Sequence, residues 1–181
     1  MKSSNKRASR LPISRLPVGT LTFAALICFG QGASVQAATA TGVMTVSATV
    51  LNSCLVGASA LAFPAATSNA IAVGNVDAVG QVTVNCTSGS AYTVALDAGG
   101  GAGGTFASRK MSAAGNQLLK YSIYTAATYS TVWGDGSGGS ATVAGVGTGV
   151  NQSIFAYGRI FAGQVATAAV YSDVVNVTVK Y

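Results

Sequence analysis

The sequence contains no histidine and no glutamate, and its acidic residues are four dispersed aspartates: Asp77, Asp97, Asp135 and Asp173. Without histidine no Ser-His-Asp triad can form, and residues 38–181 contain no Ser-x-x-Lys sequence for a serine–lysine variant. Dispersed aspartates give no support for the convergent pair of carboxylates that glycosidases use. The composition therefore argues against an enzyme and predicts no cofactor.

Charged residues make up only 8% of the chain, and half of the ten basic residues lie among the first 15 positions. They precede an apolar run over residues 18–29 and a small-residue site at residues 34–37. This order is typical of a secretory signal peptide. The alternative is an uncleaved anchor, but the run is short of the ~20 apolar residues that span a bilayer. We predict a signal peptide over residues 1–37 and a mature chain that begins at Ala38 or Thr39.

The predicted cleavage changes the apparent charge of the protein. The net charge of +6 falls to +1, because five basic residues remain against the four aspartates. A nearly neutral chain gives no electrostatic basis for binding nucleic acid. The remaining 144 residues suit one domain with its own core.

Cleavage also leaves two cysteines, Cys54 and Cys86, because Cys28 lies in the apolar run. An even pair in an exported protein indicates a disulfide, whereas two buried free thiols are the alternative. Two thiols without histidine are too few for a zinc site.

Alternating apolar and polar residues predict an all-β sandwich or barrel, with helix signals weak throughout. We predict that residues 81–86 and 91–97 form a hairpin. Residues 65–75 are predicted to form a loop or a weak strand. The predicted strands cover residues 44–51, 61–63, 81–86, 91–97, 118–124, 153–161 and 175–181.

The two ends of the mature chain carry matching strand patterns. At the carboxyl end, the inward positions of a terminal strand are Val175, Val177, Val179 and Tyr181. Near the amino end, one face of a separate run carries Met44, Val46, Ala48 and Val50. A sheet that lacks a strand at one end, and a loose strand at the other, indicate chains that complete each other by strand addition.

Two other patterns have structural and functional interpretations. Residues 99–104 and 134–139 both match G-x-G-x-x-G, but neither opens a helix in a βαβ unit, so we interpret both as loops. Five aromatic residues could form a sugar-binding face: Tyr92, Tyr121, Tyr124, Tyr157 and Trp133. Aromatic side chains on strands, however, more often belong to the core.

Across nearly the whole mature chain, an ordered set of segments resembles the spore coat protein U domain, which includes subunits of archaic chaperone–usher pili. The set comprises Cys54, Leu61–Phe63, Gly80–Thr87, Tyr92–Asp97, Arg109–Met111, Leu119–Tyr124, Trp133–Gly136, Tyr157–Ile160 and Tyr171–Tyr181.

The resemblance implies an incomplete immunoglobulin-like β-sandwich that lacks its last strand and is completed by donor-strand exchange. Residues 38–52 would be the donor extension and residues 53–181 the sandwich domain. A periplasmic chaperone would lend the missing strand, and an outer-membrane usher would replace it with the extension of a neighbouring subunit. Export would then proceed through the periplasm to a pilus on the cell surface.

Two other interpretations stay open at this point. One is a secreted coat or matrix protein of the same family. The other is a secreted carbohydrate-binding module, which would be a folded monomer without a chaperone.

Overall fold

A computed structural model describes residues 36–181, so the predicted signal peptide over residues 1–37 lies almost wholly outside the described residues. The chain divides into two units, one that ends at Val46 and one that spans Ser47–Tyr181. Residues 36–53 contain no helix and no strand. All regular secondary structure described below belongs to the second unit.

Two antiparallel sheets make up the second unit, and the fold is the predicted all-β, immunoglobulin-like sandwich. The five-stranded sheet has the order β1-β2-β7-β5-β4, with bounds β1 Cys54–Ala58, β2 Val76–Cys86, β4 Arg109–Ala113, β5 Gln117–Tyr124 and β7 Gln152–Ile160. The three-stranded sheet has the order β6-β3-β8, with bounds β3 Ala91–Leu96, β6 Val143–Val146 and β8 Val177–Lys180. A short helix, α1, spans Ser68–Val73.

The core lies between the two sheets. Side chains alternate between the two faces of a strand, and on both sheets the apolar ones face inward. The buried side chains include Val82, Val84, Val94, Leu96, Leu119, Tyr121, Ile123, Ala156 and Ile160. Trp133 is fully buried, and its Nε1 donates to the carbonyl oxygen of Val94 at 3.1 Å. The strand faces predicted for residues 81–86, 118–124 and 153–161 are confirmed.

The predicted hairpin between residues 81–86 and 91–97 is wrong. β2 belongs to the five-stranded sheet and β3 to the three-stranded sheet, so the turn at residues 87–90 carries the chain from one layer to the other. β2 pairs instead with β1 and β7, and β3 pairs with β6 and β8.

Three local predictions also differ from the structure. Residues 44–51 form no strand. Residues 65–75 contain α1, whose amino end is capped where Thr67 Oγ1 accepts a hydrogen bond from the Ala70 backbone N–H at 3.2 Å. Residues 61–63 form no strand either, and the side chains of Leu61 and Phe63 pack onto the inner face of the five-stranded sheet.

The packing of residues 61–63 depends on glycine. A Cβ at Gly158 would lie 2.6 Å from Leu61 Cδ2 and 2.9 Å from Phe63 Cζ. A Cβ at Gly80 would lie 3.2 Å from Leu61 Cβ. The two glycines therefore leave a depression in the sheet that Leu61 and Phe63 fill.

Candidate binding groove

Two adjoining cavities, of about 440 Å³ and 740 Å³, form one apolar groove in the second unit. Both cavities contact the same four side chains, Leu61, Phe63, Met111 and Tyr171, and therefore lie next to each other. We refer to the two cavities together as the groove.

The first cavity lies over the inner face of the five-stranded sheet. Val82, Tyr121, Ile123 and Ala156 form its floor. One wall is formed by residues 58–61, which begin at the last residue of β1, and the other by residues 171–175 with Val177. Because the walls come from opposite ends of the domain, neither wall could be assigned to a cavity from its own sequence.

The second cavity continues past Phe63 and Tyr171. Its floor includes Leu119, Ile160 and the one buried side chain of α1, Ile71. Its walls are residues 62–67 and residues 166–171. The wall residues are mostly alanine, valine and proline, so this part of the groove offers apolar surface rather than ligands for an ion.

β8 lies at an edge of the three-stranded sheet, beside the groove. It pairs with β3 through Leu96↔Val177 and Val94↔Val179, and within residues 36–181 it has no second partner strand. An unpaired edge presents backbone N–H and C=O groups that another strand can bind.

The predicted C-terminal strand residues differ in their placement. Val175 and Val177 line the first cavity, and both pack against the core together with Val179. β8 begins only at Val177, so Val175 precedes the strand. Tyr181 follows β8 and is 60% exposed.

The predicted donor side chains are exposed in this structure. The exposed fractions are 86% for Met44, 84% for Val46 and 84% for Val50, and Ala48 is exposed as well. Exposed apolar side chains at alternate positions have surface available to bury against a partner.

The structure contains the predicted disulfide between Cys54 and Cys86, with an S–S distance of 2.00 Å. The two cysteines are also opposite each other in the β1–β2 register. The bond therefore ties β1, which leads into the wall at residues 58–61, to the longest strand of the sheet.

Polar groups beside the groove form a network that sequence reasoning missed. Asp173 lines the first cavity, and its Oδ2 accepts a hydrogen bond from the Tyr121 hydroxyl at 2.7 Å. Burial, followed by this hydrogen bond, raises the pKa of Tyr121. The only sequence signal was the presence of two aspartates, Asp97 and Asp173, each at the edge of an apolar strand pattern.

Asp97 lies in the same network. Burial by itself would raise its pKa, but hydrogen bonds from Asn176 and Gly99 and the positive charge of Arg109 hold the pKa below its usual value. Asp97 is therefore an ionised acceptor at neutral pH.

The aromatic residues do not form an exposed sugar-binding face. Tyr92, Tyr121, Tyr124 and Trp133 are buried, and Tyr157 is half-buried. Among residues 36–181, no group of three or more potential metal-ligating residues comes together. No helix in the same range has both the length and the apolar character needed to cross a membrane.

Comparisons with known proteins agree with this architecture. A chain of the crystal structure of the CsuC–CsuE chaperone–tip adhesion subunit pre-assembly complex, from archaic chaperone–usher Csu pili of Acinetobacter baumannii, is similar in fold. The TM-score is 0.54 at 21% sequence identity, over 74% of this chain and 41% of that chain. The present chain thus spans about two fifths of that chain's length.

A search of curated proteins found no match. The Spore Coat Protein U domain, in contrast, matches residues 40–178, which include the groove, the five-stranded sheet and the three-stranded sheet up to the first half of β8. The chain therefore belongs to the Spore Coat Protein U domain family.

Proposed function

We propose that the protein is a structural, non-enzymatic subunit of a surface pilus, assembled by the chaperone–usher pathway through donor-strand complementation. The observation that carries this proposal is the apolar groove beside the unpaired edge of β8. The groove offers apolar floor to the side chains of an incoming strand, and the edge offers hydrogen-bonding groups to its backbone.

The donor in this proposal is the segment over residues 38–52 of a neighbouring subunit. Met44, Val46, Ala48 and Val50 would enter the groove, since successive inward side chains of a strand lie roughly 6.6–6.8 Å apart on one face. Burial of an exposed valine or methionine stabilises the bound state by about 1.5–3 kcal/mol per side chain, before the cost of association.

The proposed partners follow from the same groove. A periplasmic chaperone would occupy it first, an outer-membrane usher would position the subunits, and the donor of the next subunit would replace the chaperone. Contact between a donor on one subunit and a groove on another is heterologous and does not close, so repetition gives a filament. The related fold in a chaperone–subunit pre-assembly complex supports the chaperone step.

Export through the periplasm and display on the cell surface complete the proposal. The sequence pattern of residues 1–37 supports export. A coat layer of the same family would use the same groove without forming a filament, and electron microscopy of expressing cells distinguishes the two. The carbohydrate-binding alternative loses support because four of its five candidate aromatic side chains are buried.

The test is a chain that carries its own donor. A second copy of residues 38–52 is joined after Tyr181 through a short flexible linker, so that the copy can turn back antiparallel to β8. Because the linked copy acts at a high effective concentration, we expect a soluble monomer by size-exclusion chromatography with light scattering. The unmodified mature chain, expressed alone, should form oligomers or aggregate.

The matched control is the same fusion with the copied segment replaced by a Gly/Ser sequence of equal length. It should behave like the unmodified chain. A stable monomer of the unmodified chain, or equal behaviour of both fusions, would contradict the proposal.

A further inference from the structure

The C-terminal segment has a sequence that does not define its own register. Valine recurs at positions 175, 177 and 179, between the polar residues Asn176, Thr178 and Lys180. A slip of one residue would turn every side chain to the other face, but a slip of two residues keeps apolar side chains on the inner face. The valine pattern therefore leaves frames two residues apart nearly equivalent.

The length of the partner strand does not select the frame either. β8 pairs with Thr93–Leu96, so Ala91 and Tyr92 of β3 have no partner on β8. A slip that brings Thr178 opposite Thr93 would place Val179 opposite Tyr92 and Lys180 opposite Ala91. That slip would lengthen the ladder, so the observed frame needs another source of preference.

Asp97 and Asn176 supply this preference at the point where β3 ends. The Asp97 backbone N–H donates to the Asn176 carbonyl oxygen at 3.1 Å, and the Asn176 backbone N–H donates to Asp97 Oδ1 at 3.0 Å. Asn176 Nδ2 donates to Asp97 Oδ2 at 2.5 Å. In a frame shifted by two residues, Val174 or Thr178 would face Asp97, and neither has an amide side chain to donate.

Asp173 fixes the same segment at a second point. Its Oδ1 accepts from the backbone N–H of Gly100 at 2.7 Å, while its Oδ2 accepts from the Tyr121 hydroxyl at 2.7 Å. A Cβ at Gly99, where φ is +80°, would collide with the Asp173 carboxylate. Glycine at position 99 thus lets the backbone of the loop after β3 approach Asp173.

We infer that Asp97, Asn176 and Asp173 are positioning residues that fix the register of β8 and hence the frame of the groove wall. A slip of two residues would move Val175 and Val177 along the groove by roughly 6.6–6.8 Å, about the spacing of successive inward side chains. The consequence for donor binding rests on the proposed function, whereas the register itself does not.

Paired cysteines report the register directly, in the full mature chain coexpressed with its periplasmic chaperone. Thr93 and Lys180 are opposite each other in the observed frame, so Thr93→Cys with Lys180→Cys should form a disulfide. Thr93→Cys with Thr178→Cys reports the slipped frame. In the observed frame that second pair is diagonal, with Cα atoms about 7–8 Å apart, which is too far for a disulfide.

With Asp97 and Asn176 intact, we expect the first pair to cross-link almost completely and the second pair almost not at all, by peptide mass mapping under non-reducing conditions. Asn176→Asp sets two carboxylates against each other. This substitution should raise the yield of the cross-link between positions 93 and 178 at least tenfold. An unchanged, low level of the slipped cross-link would overturn the inference.

The exchanged pair Asp97→Asn with Asn176→Asp restores an amide opposite a carboxylate and is the control for misfolding. The yield of the cross-link that reports the slipped frame should return to the level seen with Asp97 and Asn176 intact. This comparison holds even where Asn176→Asp alone gives no soluble complex. A slipped cross-link that stays high in the exchanged pair would also overturn the inference.

Fibre formation separates the inference from the proposed function. If Asn176→Asp slips β8 yet assembles fibres at the unsubstituted yield, the link between register and donor binding is wrong. If the unsubstituted chain itself forms no fibres with its chaperone and usher, the proposed function fails, while the cross-linking result stands.

Discussion

Arg109 is the only charged side chain among residues 36–181 that is fully buried, at 0% exposure. Its guanidinium donates to three backbone carbonyl oxygens: Nε and Nη2 to Asp97 at 2.9 Å and 2.7 Å, Nη2 to Trp133 at 2.7 Å, and Nη1 to Phe106 at 3.0 Å. Burial lowers the pKa of Arg109, and the charge is offset by these carbonyl dipoles and by the nearby aspartates. One side chain thus joins the end of β3, the loop before β4 and the segment between β5 and β6.

Arg109→Met is expected to destabilise the domain, because it leaves the carbonyl oxygens of Asp97 and Trp133 without the guanidinium donor, whereas the Phe106 carbonyl oxygen still accepts from the Ser122 hydroxyl at 3.0 Å. At about 1–3 kcal/mol for each buried unsatisfied group, the loss should reach at least ~2 kcal/mol. The measurement is urea unfolding of the donor-fused chain described above, followed by tryptophan fluorescence, since Trp133 lies at the site.

Arg109→Lys keeps the charge but lacks the planar fork of donors, so its loss should be smaller than that of Arg109→Met. Lys120→Met, at an exposed position on β5, is the surface control and should change the free energy of unfolding by less than about 0.5 kcal/mol. A result for Arg109→Met as small as that control would show that the carbonyls find other partners.

At the residue scale, inward positions could be predicted from sequence, but polar contacts could not. The alternation of apolar residues is a local property, and it predicted the buried faces of β2, β5 and β7. The Asp97–Asn176 contact joins residues 79 positions apart, and nothing near either residue indicates the other. Asp97 was predicted as the end of a strand, and its place in the network depends on how the sheets pair.

At the element scale, the existence of strands was easier to predict than their partners. The hairpin prediction failed because a short turn between two apolar strands is equally compatible with a crossing between layers. Leu61–Phe63 looked like a strand, but its apolar side chains fill the depression at Gly80 and Gly158 instead. Pairing depends on contacts between distant segments, which the pattern of a single segment does not contain.

The proposed donor segment over residues 38–52 can be tested at the element scale, because substitutions on its two faces should have different effects on assembly. Val46→Asp or Val50→Asp would place a carboxylate in an apolar groove without a partner, at a cost of several kcal/mol. We expect either change to abolish fibre assembly with the chaperone and usher, measured by electron microscopy and by the yield of polymer that resists dissociation.

The matched controls are Thr45→Asp and Thr49→Asp, which carry the same charge on the opposite face of the same segment. They should assemble at close to the unsubstituted yield, because a strand's faces alternate with a period of two. Equal loss of assembly from both faces would mean that the segment does not bind as a strand in a groove.

At the scale of the whole molecule, the proposed function needs two features that lie in separate segments of one chain. The sandwich has an unpaired edge and an apolar groove, and the exposed alternating segment lies upstream of β1. The Cys54–Cys86 disulfide stands at the start of the domain, where the segment over residues 38–52 joins it. In a filament, the pull of one subunit on the next through its donor would therefore reach a cross-linked pair of strands.

Deletion of residues 38–50 separates the two features. The truncated subunit keeps the whole groove and the disulfide, so it should still bind the chaperone as a soluble 1:1 complex in copurification. It should form no polymers of its own, because it has no donor to offer. Mixed with full-length subunits, it should be absent from the fibre shaft, because each incoming subunit needs a donor to join the one before it. Fibres built from the truncated subunit alone would show that these residues are not the donor.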